Sequence, residues 1–353
     1  MSRSSTTEAD ESSSDTQPKQ AQSCLTDHET PAVNASDDGE HENDTDELGI
    51  PAGIDLSMLS MSCAELEAAM RLPYHAAADL IDEPAGTDPR FTGALADDRL
   101  AVLTKHLVGV AHESRVAITE AGWYVSVVDP SNVVMASAWL PAADWAAYDC
   151  EREGVIGLNW DGDGGSVSRA LAHFERGATV AISYDDRTIA LDDGIPFEFS
   201  TLDPGSTRQP PETPDLVLPN SFTLPGVDID ELTERMDDIA DHVAVVGCPG
   251  TDGIELRAEG DTAVVTKEYA GFDDLTEFDG SRKHDVFATY IAAADRTVLS
   301  LDYLRNVFST PRKRDLETGY TFRFGDGLPM KIERQLGSEG FLRYLQAPRV
   351  HSE

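Results

Sequence analysis

The stretch GWYVSVVDPSNVVMASAWL, residues 122–140, decides the fold of this chain. Two runs rich in Val, Trp, Tyr and Met flank Asp-Pro-Ser-Asn, which puts Asp at the first and Pro at the second position of a type I turn. Aromatic and β-branched runs on either side of such a turn read as an antiparallel strand pair. The C-terminal FLRYLQAPRV, residues 341–350, reads as another strand, stopped by Ala-Pro and a basic residue. Neither stretch carries a catalytic constellation.

The same texture extends outward. SRVAI (114–118), TVAISY (179–184), TIAL (188–191), FEFSTL (197–202), IELRAE (254–259) and MKIERQL (330–336) alternate apolar and polar residues between turn signals. That period of two predicts half-buried antiparallel strands. Only four stretches carry helical spacing: Asp97–Val108, Ser166–Phe174, Asp228–Asp241 and Leu301–Phe308. The order of elements repeats, with two helices and one strand layer in each half, which predicts a β-rich α+β protein built by duplication. Between the halves lies DPGSTRQPPETPDLVLP (203–219), whose five prolines fix φ and remove donors, so it reads as an extended connector. The expected organisation is an acidic, mostly disordered extension (1–90), a first domain (91–202), the connector (203–219) and a second domain (220–353).

The chain has 353 residues, with 65 Asp and Glu against 27 Lys and Arg, a formal net charge of −38. The acids are spread over the whole chain, which points to solubility chemistry rather than one binding site. Salt at molar concentration would screen the self-repulsion, so a halophilic archaeal cytosol is the expected setting. The four cysteines, Cys24, Cys63, Cys150 and Cys248, form no CxxC pair and read as free cytosolic thiols. The polar N-terminus has no apolar core of a secretory signal, and no run of about 18 apolar residues would span a membrane. Residues 1–50 are too poor in apolar side chains to offset their ordering entropy. Residues 54–72 hold a short helical pattern at Leu66, Ala69 and Met70, readable as a transient helix, a docking peptide or a weakly ordered linker.

Few motifs suggest chemistry. DGDGGS (161–166) hints at a calcium loop but lacks its ligand register, so a flexible lead-in to the following helix is the structural reading. PRKRD (311–315) is the densest basic cluster, readable as an exposed turn or as a phosphate contact. The histidines, His106, His173 and His284 among them, show no metal-ligand spacing, and the common nucleophile, phosphate-loop and zinc motifs are missing. No cofactor and no enzymatic activity are expected.

Taken together, VVDPSNVVM (127–135), GVIGLN (154–159), LDPGSTRQPPETPDL (202–216), LSLDYLRNVF (299–308) and the register from LPMKIE (328–333) to YLQAPR (344–349) resemble the DNA sliding clamps of the PCNA type, the haloarchaeal ones most of all. The resemblance covers about Phe91 to Arg349. It implies a duplicated clamp fold whose subunits form a homotrimeric ring around double-stranded DNA, strand 196–201 of one pairing with strand 262–267 of the next. It implies four helices lining the channel, with Arg99, Lys105, Arg169, Arg235, Arg305, Arg312, Lys313 and Arg314 as the candidate phosphate contacts, made without base reading. It also implies a client-peptide pocket under the connector, at Val128, Asn132, Val133, Pro329, Tyr344, Leu345, Ala347 and Pro348. The partners implied are DNA, a DNA polymerase and other clamp-binding proteins, and a clamp loader.

Some positions depart from the family pattern. Thr207 and Thr213 stand where related connectors offer apolar side chains, and Gln346 stands where Leu usually precedes Ala-Pro. A longer insertion spans about 270–287, and the acidic tail is unusual. These departures motivate an alternative, a regulatory clamp paralogue that joins mixed rings or sequesters clients.

Overall fold

The computed structural model describes residues 73–81, 88–95, 98–162, 165–172, 179–211, 214, 216–269, 288–309 and 318–349. Expectations for residues 1–72, the 270–287 insertion, Thr213, and Arg312, Lys313 and Arg314 therefore lie outside the described residues.

Helix α1 (Pro73–Ile81) comes first. The first half then runs β1 (Arg90–Leu95), α2 (Arg99–Val108), β2 (Glu113–Thr119), β3 (Gly122–Val128), β4 (Val134–Pro141), β5 (Ala147–Arg152), β6 (Gly154–Asn159), α3 (Val167–Leu171), β7 (Val180–Asp185), β8 (Thr188–Asp192) and β9 (Pro196–Ser200). The second repeats that order: β10 (Asn220–Pro225), α4 (Gly226–Asp237), β11 (His242–Cys248), β12 (Gly253–Glu259), β13 (Val264–Tyr269), β14 (Ala288–Ile291), β15 (Arg296–Ser300), α5 (Leu301–Ser309), β16 (Gly319–Phe324), β17 (Met330–Leu336) and β18 (Gly340–Gln346). The duplication is thus element for element.

Pairing repeats too. One sheet has the order β5-β1-β7-β8-β9 and another β13-β12-β11-β15. The central nine-stranded sheet, β14-β10-β16-β17-β18-β4-β3-β2-β6, joins the halves through β18 and β4, with Phe341 opposite Trp139 and Leu345 opposite Met135. In the duplication β9 is the counterpart of β18, and β13 of β4. Among the described residues both are sheet edges, and an edge leaves backbone donors and acceptors open to another chain.

Strand alternation sends Trp123, Val125 and Val127 to one face, where they join the main core with Phe222, Tyr320, Phe322 and Phe324. Buried residues of α2, α3, α4 and α5 all pack on that same core. The halves also meet where α2 ends against α5: a Cβ on Gly109 would stand 2.5 Å from the Asn306 carbonyl oxygen, so only glycine fits. Gly122, with φ +147°, turns β2 into β3 in a conformation that favours glycine.

At this junction lies a buried polar group. Tyr320 Oη stands 3.0 Å and Arg334 Nη1 3.2 Å from His106 Nε2, and Arg334 Nη1 donates to Tyr320 Oη over 3.1 Å. Since a guanidinium only donates, His106 Nε2 accepts and the ring is neutral. Burial first, then Arg334 and Lys105, pushes its pKa well below the ordinary histidine value.

The helices arise where their spacing predicts, but α2 and α3 are shorter than expected, and α4 runs from Gly226 to Asp237 and stops four residues before Asp241. Four strands escape that reading, β1, β5, β10 and β14. They are two equivalent pairs of short segments: β1 holds Gly93, β5 has Asp149, Glu151 and Arg152, β10 ends at Pro225, and β14 is only four residues long. Helix α1 falls in the stretch read as a disordered extension. The helix exists because Ala77 and Ile81 are buried against the sheet, a tertiary contact.

Candidate functional site

The Asp-Pro-Ser-Asn turn between β3 and β4 is built by one carboxylate. Asp129, only 4 % exposed, accepts from the backbone N–H groups of Ser131 (2.7 Å), Val133 (2.6 Å) and Val134 (2.6 Å). Its backbone closes the turn, with Asp129 N donating to Val134 O and Asp129 O accepting from Asn132 N. Asn132 takes the left-handed conformation, φ +58°, which Asn tolerates better than most residues. Asp129 therefore shapes the turn, as the sequence reading held.

The face of the central sheet away from the four helices presents three rows of side chains, fixed by register. The first row is Val128, Met135, Leu345 and Lys331; the second is Arg115, Ser126, Ser137, Arg343 and Glu333; the third is Val155, Ala117, Tyr124, Trp139 and Phe341. In the first row Val128, Met135 and Leu345 form a compact apolar patch, over which the connector residue Leu216 packs. In the second, Glu333 pairs with Arg343 (2.9 Å), Lys331 (3.1 Å) and Arg323 (3.1 Å). Burial pushes the Glu333 carboxyl up, but Arg343 and Lys331 outweigh it and hold it below its usual value. Helix α1 lies over the third row, where the Tyr74 and Phe341 ring centroids are 4.9 Å apart.

Two arginines hold the connector in place. Arg115, 4 % exposed, donates through Nη1 to Ile81 O at the end of α1 (3.0 Å) and through Nε to Pro204 O in the connector (3.1 Å). Arg208 reaches from the connector to the turn, donating to Asp129 O (2.9 Å) and Asn132 Oδ1 (2.6 Å). Between α1 and the connector lies a cavity of about 540 Å³, floored by Tyr124, Ser126, Lys331, Arg343 and Leu345.

Of the residues expected to hold a client peptide, Val128 and Leu345 share the apolar patch. Val133 O accepts from Ala347 N (2.8 Å), which brings the turn and the C-terminal segment together, with Pro348 next in chain. Pro329 precedes Met330, the partner of Gln346, and so sits beside Ala347. Asn132 is exposed on the rim, held by Arg208. Tyr344 is not among them: it points to the opposite face of β18, fully buried, 6.0 Å from the His106 ring. Alternation along the strand forces this, since Leu345 faces out. Gln346 also faces in, and its Nε2 donates to Ser300 O (2.9 Å), so it lies off the patch. Thr207 is buried, and its hydroxyl donates to Pro204 O within the connector (2.8 Å). Met135, Leu216, Lys331 and Arg343 belong to the site but were not singled out from sequence. Counting two residues at a time from Val128 and Leu345 would have found Arg343, but pairing Met135 and Lys331 with them requires the register.

The described candidate channel residues lie on helices of the other face. Arg169 and Arg235 are exposed on α3 and α4, and Lys105 is half-buried on α2. Arg305 is paired with Asp237 of α4. Arg99 is committed to Asp144, bonding its backbone O (3.1 Å) and its carboxylate (3.3 Å) beside the β17–β18 turn. In the DGDGGS segment, Asp161 accepts from Ser168 Oγ (2.8 Å) and Ser166 caps α3, consistent with a helix lead-in. Among the described residues no three His, Cys, Asp or Glu side chains are grouped to hold a metal ion, and no helix is long and apolar enough to cross a membrane.

No family model matches the chain. It is 30% identical over 269 residues to a DNA polymerase sliding clamp of Natronomonas pharaonis, a match over 74% of this chain and the whole of that protein. A Haloarcula marismortui protein of the same name is 29% identical over equal shares. Among solved structures, Archaeoglobus fulgidus PCNA bound to the C-terminal region of FEN-1 superposes with TM-score 0.63 at 20% identity, covering 74% of this chain and all of that one. PCNA from Thermococcus kodakaraensis superposes with TM-score 0.62 at 16% identity, over 73% of this chain and all of that one. The chain belongs to the PCNA-type family of DNA polymerase sliding clamps.

Proposed function

We propose that this protein is a DNA polymerase processivity factor, a ring of three identical subunits that encircles duplex DNA and tethers polymerase and other clients to it. One observation carries the reading. The duplication makes β9 and β13 equivalent to β18 and β4, which pair inside the chain, while β9 and β13 are edges. Pairing β9 of one subunit with β13 of the next repeats the internal junction and removes both edges at once. Ile195 beside β9 and Val264 on β13 are exposed apolar residues that such a junction would cover. Such a head-to-tail contact makes a ring where its rotation closes and a filament where it does not, and the proposed trimer is the closing case.

The four-helix face would line the channel, with Lys105, Arg169 and Arg235 as its phosphate contacts. These are few, and at high salt counterion release adds little affinity, so retention on DNA rests on topology. The net charge of −38 suits a high-salt archaeal cytosol. The patch of Val128, Met135 and Leu345, rimmed by Val133, Pro329, Ala347 and Pro348, would take the apolar anchor of a client peptide. The proposed role asks no chemistry of the ring, and a clamp loader would have to open it. The shared name of the relatives favours a clamp over a paralogue that sequesters clients.

The test is retention on circular DNA. The protein, loaded on a nicked plasmid by a haloarchaeal clamp loader with ATP, should stay with the circle through gel filtration in molar KCl and leave when the plasmid is cut once. Equal retention on circular and cut DNA would contradict encirclement.

A further inference from the structure

Helix α1 and the cavity beside it are not needed to close a sheet or to bind DNA. The helix covers the third row, burying Ala77 and Ile81 against Ala117, Tyr124, Trp139, Val155 and Phe341. It leaves the first-row patch uncovered. What it does instead is stand across the outer face from the connector, so that the second row becomes the floor of a two-walled groove. Tyr74, His75, Ala78, Asp79 and Ile81 line one wall, and Pro210, Pro211, Pro214 and Leu216 line the other. One buried guanidinium, Arg115, bonds the end of α1 and the connector together, so the walls are held as a unit.

The groove floor contradicts the charge of the protein. In a chain of net charge −38, this floor carries Lys331 and Arg343, which share Glu333 as a partner beneath, and Asp79 is the only carboxylate among the described lining residues. Two lining cations against one lining carboxylate, beside an apolar end, favour an acidic, partly apolar peptide. The first and third rows are four residues apart along β3, about 13 Å at the strand rise, the reach of about four extended peptide residues.

We propose that α1 is a built-in second wall of the client groove. A client peptide seats its apolar anchor on Val128, Met135 and Leu345, passes an acidic residue over Lys331 and Arg343, and places an aromatic or apolar side chain against Tyr74, His75 and Ala78. The helix thereby selects clients with an acidic and aromatic flank beyond the anchor. This rests on reading the first-row patch as the client site.

The test uses the full chain in molar KCl and two synthetic fluorescent peptides: a clamp-binding peptide reduced to its apolar anchor, and the same peptide extended by a flank carrying Asp and Phe. Anisotropy titration should give the extended peptide an affinity about tenfold higher. Tyr74→Ala and Lys331→Glu should each bring the ratio of the two affinities close to one. Lys331→Glu leaves α1 intact, so it decides the matter if Tyr74→Ala undocks the helix. Leu345→Asp should abolish binding of both peptides. Binding that survives Leu345→Asp would overturn the client site itself. Loss with Leu345→Asp, joined to an unchanged ratio in both other variants, would overturn the wall alone. Tighter binding of the anchor peptide after removal of residues 1–81 would make α1 a competitor and would also overturn it.

Discussion

Replacing Asp129 by Ala should cost this protein about 3 kcal/mol. The carboxylate satisfies three backbone N–H groups at once, and its side chain is nearly out of solvent. The amides of Ser131 and Val133 sit on a solvent-facing turn and can turn to water, so their loss costs about 0.5–1 kcal/mol each, the net value of an ordinary hydrogen bond. The amide of Val134 opens β4 at a buried residue and would be left unsatisfied, at about 1–3 kcal/mol. For a folded region of this size, a loss of about 3 kcal/mol lowers Tm by roughly 6–12 °C. Asp129→Asn keeps one acceptor oxygen and should cost about half as much. The assay is denaturant unfolding at fixed molar KCl and fixed subunit concentration, because assembly adds to apparent stability. Asn132 and Val133 ride on the same turn, so client affinity should fall alongside stability. An Asp129→Ala protein within about 0.5 kcal/mol of wild type would mean that the turn is held by its neighbours, not by this carboxylate.

Three other outcomes follow from single contacts. Arg115→Lys cannot reach two carbonyls in fork geometry; amide exchange should quicken in α1 and in residues 203–211 together, and unchanged exchange would show that the guanidinium couples nothing. His106 is neutral in the folded protein with its pKa depressed, so its contribution is complete above the unfolded value of about 6.5 and is lost as pH falls below it. The unfolding midpoint of the wild type should therefore drop more steeply from about pH 6.5 to 5 than that of His106→Gln, which cannot titrate; equal slopes would refute the buried neutral ring. Val264→Arg puts a charge on the β13 edge and should shift the protein towards monomer in sedimentation velocity without unfolding it; an unchanged mass would remove β13 from the subunit junction.

Much of this architecture is legible in the chain. The alternation in WYVSVV and MKIERQL marks strands whose one face is buried, and the Asp129 turn announces itself by residue type alone. The repeated order of helices and strands exposes the duplication. What stays hidden has physical reasons. Strand β5 is an edge segment whose side chains mostly meet solvent, and β14 has only four residues, so no apolar period marks them. Tyr344 and Leu345 are neighbours in sequence but face opposite sides of one strand, and only the pairing with β4 tells which faces out. Helix α1 is held by tertiary contact with Tyr124, Trp139 and Phe341, which lie tens to hundreds of residues away. The polar junction of His106, Tyr320 and Arg334 spans both halves in the same way. Charge misleads at the groove, where a basic floor sits inside an acidic protein.

The central claim is that edges β9 and β13 close three copies into a ring. Light scattering on the purified full chain in molar KCl tests it most directly. The ring should give a mass three times the 38.2 kDa subunit, independent of concentration over the micromolar range. A mass equal to one subunit, with both edges left open, would contradict it.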